Sequence, residues 1–206
     1  MEVDGAEQMK QKLLHKLNKR QGFSLTEMLA TVLIMGFVGI IITTGAATVQ
    51  RVYRKVVAHA NAQTALTTTI TLMKDQLAFA DPESVGNGSE TGTGFGNSQT
   101  IVFKNLNSGE QTITLNPGSG TGTANRGFTL TYTAGDGTGT SSTTLPLLSD
   151  SAITSDLCVC FDGTDSGFSW DPATQVITVT NLVAKDTRTD TVQARASFKV
   201  LLVNDK

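Results

Sequence analysis

The spacing of apolar residues changes character twice along this chain. From Met28 to Gln50 the stretch MLATVLIMGFVGIIITTGAATVQ, 23 residues, holds no charged residue and no proline. As a helix rising about 1.5 Å per residue it would span roughly 34 Å, enough to cross a hydrocarbon core of about 30 Å. Apolar residues then recur at three- and four-residue spacing through Val49, Val52, Tyr53, Val56, Val57, Ala60, Leu66, Ile70, Met73 and Leu77. That spacing draws one stripe along a helix that continues into water. Ala80, Asp81 and Pro82 mark its end, because a residue before proline is pushed out of the α region. The pattern therefore predicts one helix from about Leu25 to about Ala80, roughly 80 Å long. Residues 23–50 form its membrane half and 51–80 its amphipathic half.

Past Pro82 the period falls to two. After a Gly, Ser and Thr-rich stretch, ESVGNGSETGTGFGNS, read as a loop, short alternating segments predict strands at 100–105, 111–116, 127–133, 156–162, 175–181 and 191–203. LNSGE, between the first two, suits a hairpin loop. In the last segment Val192, Ala194, Ala196, Phe198, Val200 and Leu202 share one parity, against Thr191, Gln193, Arg195, Ser197 and Lys199 on the other. A sheet with one buried face produces that pattern, and the buried face is expected to pack on the apolar stripe of the helix. The fold class that follows is α+β: a long N-terminal helix whose amphipathic half packs on an antiparallel β-sheet. Residues 81–206 form the β-rich head, with no second globular domain and no internal repeat.

Charge adds an asymmetry. The chain carries a formal charge of −2, which gives no reason to expect nucleic acid as a partner. The first 22 residues hold Lys10, Lys12, Lys16, Lys19 and Arg20 against Glu2, Asp4 and Glu7, a net +2. Arg51, Arg54 and Lys55 follow the apolar run, so the bias of basic flanks places the N-terminus on the cytoplasmic side by a small margin. Between the basic leader and the apolar run stands GFSLTEMLA, in which Glu27 puts a carboxylate at the mouth of a segment otherwise suited to lipid. A charge there marks a functional position whose partner should be found. A cleaved secretory signal explains the basic and apolar regions but not the length of the run, nor Glu27, nor the unbroken periodicity. Gly36, Gly39 and Gly45 read either as close-packing positions or as places where the helix can unwind.

Lys19-Arg20-Gln21-Gly22-Phe23-Ser24-Leu25-Thr26-Glu27, followed by the apolar run, resembles the prepilin N-terminus of type IV pilins and pseudopilins. The resemblance covers roughly residues 15–80 by pattern and the remainder by architecture. It implies a leader, residues 1–22, removed by a prepilin peptidase between Gly22 and Phe23, and methylation of the new amine of Phe23. It implies that Glu27 serves assembly, as counter-ion to that amine on a neighbouring subunit. A buried ion pair contributes register more readily than stability, which suits that role. Two departures from the family are Thr44, where many major pilins have proline, and the lack of an evident disulfide-closed C-terminal loop.

The implied partners are other pilin subunits, the peptidase and a membrane assembly platform. The implied locations are the cytoplasmic membrane before assembly, single-pass with the N-terminus inside, and an extracellular filament afterwards. The rival reading is a membrane-anchored extracellular module whose β domain binds a ligand or calcium.

Catalytic chemistry is sparse. No nucleophile with its base, phosphate loop or paired acid can be assembled, so no enzymatic activity is expected. Cys158 and Cys160 would lie on one face of a strand with Cα atoms about 6.6 to 6.8 Å apart, at the outer limit for a disulfide, and read as buried free thiols. His15 and His59 fall in the leader and the helix, too far along the chain to complete a metal site with them. DGTDSGFSWD, residues 162–171, has the acidic and glycine content of a calcium loop without EF-hand spacing. Asp162 and Asp165 are its candidate ligands, although a plain turn is the simpler reading and no cofactor is expected. Asn87-Gly88-Ser89 matches a glycosylation sequon, a short pattern that arises readily by chance.

Overall fold

A computed structural model of the chain describes residues 24–105, 111–118, 126–135, 140–149, 153 and 156–203. One α-helix, α1, runs Leu25–Leu77, followed by a 3₁₀ turn at Pro82–Ser84. Asp81 caps that turn, accepting from the Glu83 amide, and Pro82 supplies the fixed φ of its first position. Among the described residues nine strands follow: β1 Phe95–Ser98, β2 Ile101–Lys104, β3 Thr112–Asn116, β4 Thr129–Gly135, β5 Thr140–Pro146, β6 Leu157–Phe161, β7 Gly167–Asp171, β8 Val176–Asp186 and β9 Val192–Leu201. Contacts divide the chain into two compact units, Met1–Tyr53 and Arg54–Lys206.

The second unit is α+β, with two antiparallel sheets in place of the single sheet expected. β2, β3, β4 and β5 form a four-stranded meander. The other sheet is organised on β8, whose 11 residues exceed any other strand. β9 pairs along one edge of β8, while the other edge is shared: β7 pairs Val176 to Thr180 and β6 pairs Leu182 to Asp186. β1 completes the sheet beyond β7.

Asn181 makes this sharing work. It lies between the two halves of β8 with φ +53, a left-handed conformation that asparagine tolerates better than most residues. The register against β9 slips there, so the core-facing parity changes from Ile177 and Val179 to Leu182 and Ala184.

The core joins the helix to both sheets. From α1 it takes Ala62, Ala65, Leu66, Met73 and Leu77, with Ile70 partly buried. The buried Thr69 donates its hydroxyl to the Ala65 carbonyl at 2.8 Å, which satisfies the polar group within the helix. Ile101, Phe103, Ile113 and Leu115 come from the meander; Val159, Phe168, Ile177, Val179 and Leu182 come from the other sheet. Phe128, Phe161 and Phe168 stack edge to face in pairs, with centroids 5.1 to 6.3 Å apart, and tie the approach to β4 to strands β6 and β7.

Gly167 is required where β7 begins. Its φ is +136, and a Cβ there would lie 2.4 Å from the Ser98 carbonyl oxygen.

The expected stripe on the helix is confirmed only in its C-terminal part. Leu66, Met73 and Leu77 are buried, whereas Val49, Val52, Tyr53, Val56 and Val57 are exposed. On β9 and at the residue after it, the expected face holds for Ala194, Ala196, Phe198, Val200 and Leu202. Val192 is 39 % exposed, because a second register slip between Ala184 and Lys185 takes it off that face. The hairpin loop expected at LNSGE falls on residues 106–110, outside the described residues, although the flanking β2 and β3 do pair antiparallel.

Candidate functional site

The N-terminal part of α1 is a surface of apolar side chains. Leu25, Met28, Leu29, Val32, Leu33, Ile34, Met35, Phe37, Val38, Ile40, Ile41 and Ile42 are all roughly half exposed or more. Successive residues in a helix are about 100° apart, so this run covers the full circumference rather than a stripe. The helix is long and apolar enough to cross a membrane, with a mean hydropathy of 2.2 over its most apolar window and none of that window buried.

Several of its threonine hydroxyls are bonded within the helix. The hydroxyls of Thr31, Thr43, Thr44 and Thr48 donate to the carbonyls of Met28, Gly39, Ile40 and Thr44 at 2.8 to 3.0 Å. A hydroxyl bonded within its own helix can enter hydrocarbon without an unpaired donor, which would otherwise cost several kcal/mol. A Cβ added at Gly36, Gly39 or Gly45 would meet nothing within 4 Å, so no contact among the described residues explains these glycines.

Glu27 lies in the first turn of α1, exposed, with its backbone amide donating to the Ser24 carbonyl at 2.9 Å. A carboxylate there complements the positive end of the helix dipole. Its side chain has no hydrogen-bond or ion-pair partner among the described residues. The cleavage and methylation positions Gly22 and Phe23 lie outside the described residues, as does all of the leader.

The two calcium candidates are separated in role. Asp162 accepts from Arg195 Nη2 at 2.7 Å, while Asp165 contributes its backbone carbonyl to the Asn181 side-chain amide at 3.2 Å. Among the described residues no group of three or more His, Cys, Asp or Glu side chains converges on a point. His59 faces Gln63 across one helical turn at 3.0 Å. Asn87 accepts from the Ser89 and Glu90 amides at 2.9 and 3.0 Å, which closes a local turn. Cys158 and Cys160 are free thiols, the first buried and the second half-buried.

Sequence reasoning missed Arg195 and Asn181 as the residues that hold the 162–166 loop. The bond between Arg195 and Asp162 joins residues 33 apart, and no local pattern announces such a pair. Set against known protein families, curated proteins and solved structures, the chain matches none.

Proposed function

We propose that this chain is a structural subunit, a major or minor pilin, of a type IV pilus or a related secretion or competence pseudopilus. Its helix is stored in the membrane and then polymerises with the helices of other copies. The observation that carries the reading is where the exposed apolar surface ends. A simple anchor needs apolar surface only as far as the lipid interface, which the first basic residue after the run, Arg51, would mark. Yet Val52, Tyr53, Val56 and Val57 continue as exposed apolar residues among Arg51, Arg54 and Lys55. Surface of that kind suits burial against protein.

Glu27 fits the same reading. Cleavage after Gly22 would create an amine on Phe23, and a cationic group entering a bundle of apolar helices needs a counter-charge. A carboxylate without a partner among the described residues can supply it to the next subunit. Pairing between subunits then makes charge neutralisation depend on axial register.

The test is mass spectrometry of the protein from its native cells. A chain that starts at N-methylated Phe23 is expected. An intact leader, or a start after Ala47, would replace this reading with a plain anchor or a secretory signal.

A further inference from the structure

The outward face of the sheet around β6 holds a pair of thiols in an unusual setting. Val159, between the two cysteines, packs in the core opposite Ala184. Cys158 and Cys160 therefore share the opposite face with their cross-strand partners Lys185 and Val183. An outward face is ordinarily wet, but Cys158 is 2 % exposed and Val183 is 0 % exposed. Neither belongs to the main hydrophobic cluster.

Charged side chains flank them on the same face. Arg195 of β9 opposes Val183, and its guanidinium reaches Asp162, just past the end of β6, at 2.7 Å. The Arg195 side chain thus crosses β8 over Val183. Lys185, opposite Cys158, holds Asp190 at 2.8 Å with its side chain only 24 % exposed. Two ion pairs thus stand on the face that carries both cysteines.

The two thiols stand next to each other on that face. Their mutual hydrogen bond, with burial, holds the Cys158 thiol above its ordinary pKa, and the same bond lowers that of Cys160. Cys160 is the more accessible of the two.

A disulfide fits this strand poorly. Residues two apart in a strand have Cα atoms about 6.6 to 6.8 Å apart, at the outer limit for a bridge whose sulfurs must come within about 2.05 Å. Two metal–thiolate bonds of about 2.3 Å, in contrast, span up to about 4.6 Å between sulfurs. We propose that Cys158 and Cys160 form a two-thiolate site for a soft monovalent cation, Cu(I), which arrives from the Cys160 side.

Thiolate donors favour soft ions, Cu(I) among them, and two donors are enough for it. A closed zinc site would need four ligands, which the described residues do not bring together. On binding, each thiol gives up its proton to solvent and two sulfur–copper bonds form, with no change of oxidation state at sulfur or copper. The resulting unit carries one negative charge, beside the cations of Lys185 and Arg195. This inference is independent of the filament reading.

The experiment uses the full chain in detergent, without oxygen, titrated with Cu(I) against a coloured Cu(I) chelator. One Cu(I) per chain is expected for the wild type and none for Cys158→Ser/Cys160→Ser. Equal retention by the two proteins, or a wild type that leaves all the copper on the chelator, would overturn the proposal.

Alkylation of the wild type needs no substitution and so is free of any folding defect. Iodoacetamide should label Cys160 at least about tenfold more slowly after copper loading. Equal labelling rates would overturn the proposal, as would loss of both thiol protons in air to give an intramolecular disulfide.

Discussion

Truncating two apolar residues of the same helix should have opposite consequences in the isolated unit Arg54–Lys206. Met73 is 0 % exposed and belongs to the core that joins α1 to the sheets, while Val56, one of the exposed apolar residues past Arg51, is 60 % exposed. Met73→Ala removes three heavy atoms, each worth about 0.8 kcal/mol of transfer, and leaves a cavity that its neighbours cannot fill without moving. Large-to-small changes at such sites cost about 2 to 5 kcal/mol, and complete burial places this one at about 3 to 4. Val56→Ala removes surface that the fragment never buries and replaces a β-branched residue with the best helix former, so its effect should lie between zero and a gain of about 0.5 kcal/mol.

Urea denaturation followed by circular dichroism measures both, with an unchanged m-value as evidence that only stability moved. In a domain of this size the Met73 loss should lower Tm by roughly 6 to 16 °C. A loss below about 1 kcal/mol for Met73→Ala, or above it for Val56→Ala, would show that the boundary between the buried and exposed parts of the helix has been drawn in the wrong place.

Four further outcomes are expected. Glu27→Gln should insert, be processed and fold as before, yet be depleted from filaments relative to membrane, because a broken buried pair costs about 3 to 5 kcal/mol at each subunit contact; equal incorporation in cells with the full assembly machinery would refute intersubunit pairing. Gly22→Val should keep the leader when co-expressed with a prepilin peptidase, and a normal gel shift would count against cleavage at that bond. Phe198→Ala should cost less than Met73→Ala, since Phe198 is only partly buried, with Lys74 Nζ 5.4 Å from its ring centroid; the reverse order in urea would contradict the packing described. Acid should destabilise the head through Asp171 and Asp186. Thr174 and Ala173 donate to Asp171, and Arg188 and Thr189 to Asp186, which lowers both pKa values. A depressed folded pKa contributes stability that is complete above the unfolded value of about 3.9 and is lost as pH falls through the folded value. Asp186→Ala should therefore flatten the stability–pH curve below about pH 4, and an unchanged acid limb would refute the contribution.

Local pattern revealed those elements whose two faces meet different environments. β2, β3, β4, β6, β8 and β9 all overlap segments read as strands from their residue pattern. β5, TSSTTLP, gave no signal because Ser141 to Pro146 are exposed on both faces, so nothing in its sequence marks an inner side. β7 was hidden by its acidic, glycine-containing surroundings, although Phe168 and Trp170 do alternate inward. β1, FGNS, carries a glycine and an asparagine with φ +47, and its pairing to β7 is irregular. β8 was expected to stop at Asn181, where the left-handed backbone changes the parity of the strand without ending it. On the helix, Ala62, Ala65 and Thr69 were passed over in favour of larger residues. Small side chains let a sheet approach the helix closely, and close approach buries them. Glu27 stood out in the sequence because a charge beside an apolar run needs no tertiary information to be noticed. The pair Arg195 and Asp162 is created by strand order alone and could not be read in advance.

The exposed helix surface and Glu27 would make different contributions to an assembly. Fully burying an aliphatic or aromatic side chain contributes about 1.5 to 3 kcal/mol, so Val52, Tyr53, Val56 and Val57 together could supply on the order of 6 to 12 kcal/mol per subunit as an upper bound. That attraction is not directional. A helix apolar around its circumference can slide or rotate against another with little change in buried area, and it packs nearly as well in several registers. A buried charge behaves in the opposite way: its pairing adds little net stability, but any register that leaves it unpaired costs several kcal/mol. Apolar surface without a charge would give association without order, and a charge pair without apolar surface would give order without affinity. A single carboxylate in the first turn of an otherwise uncharged run is the smallest device that supplies the second property without weakening the first. On this argument a charge-swapped position elsewhere in the run would not rescue Glu27→Gln, because the partner amine stays fixed at Phe23.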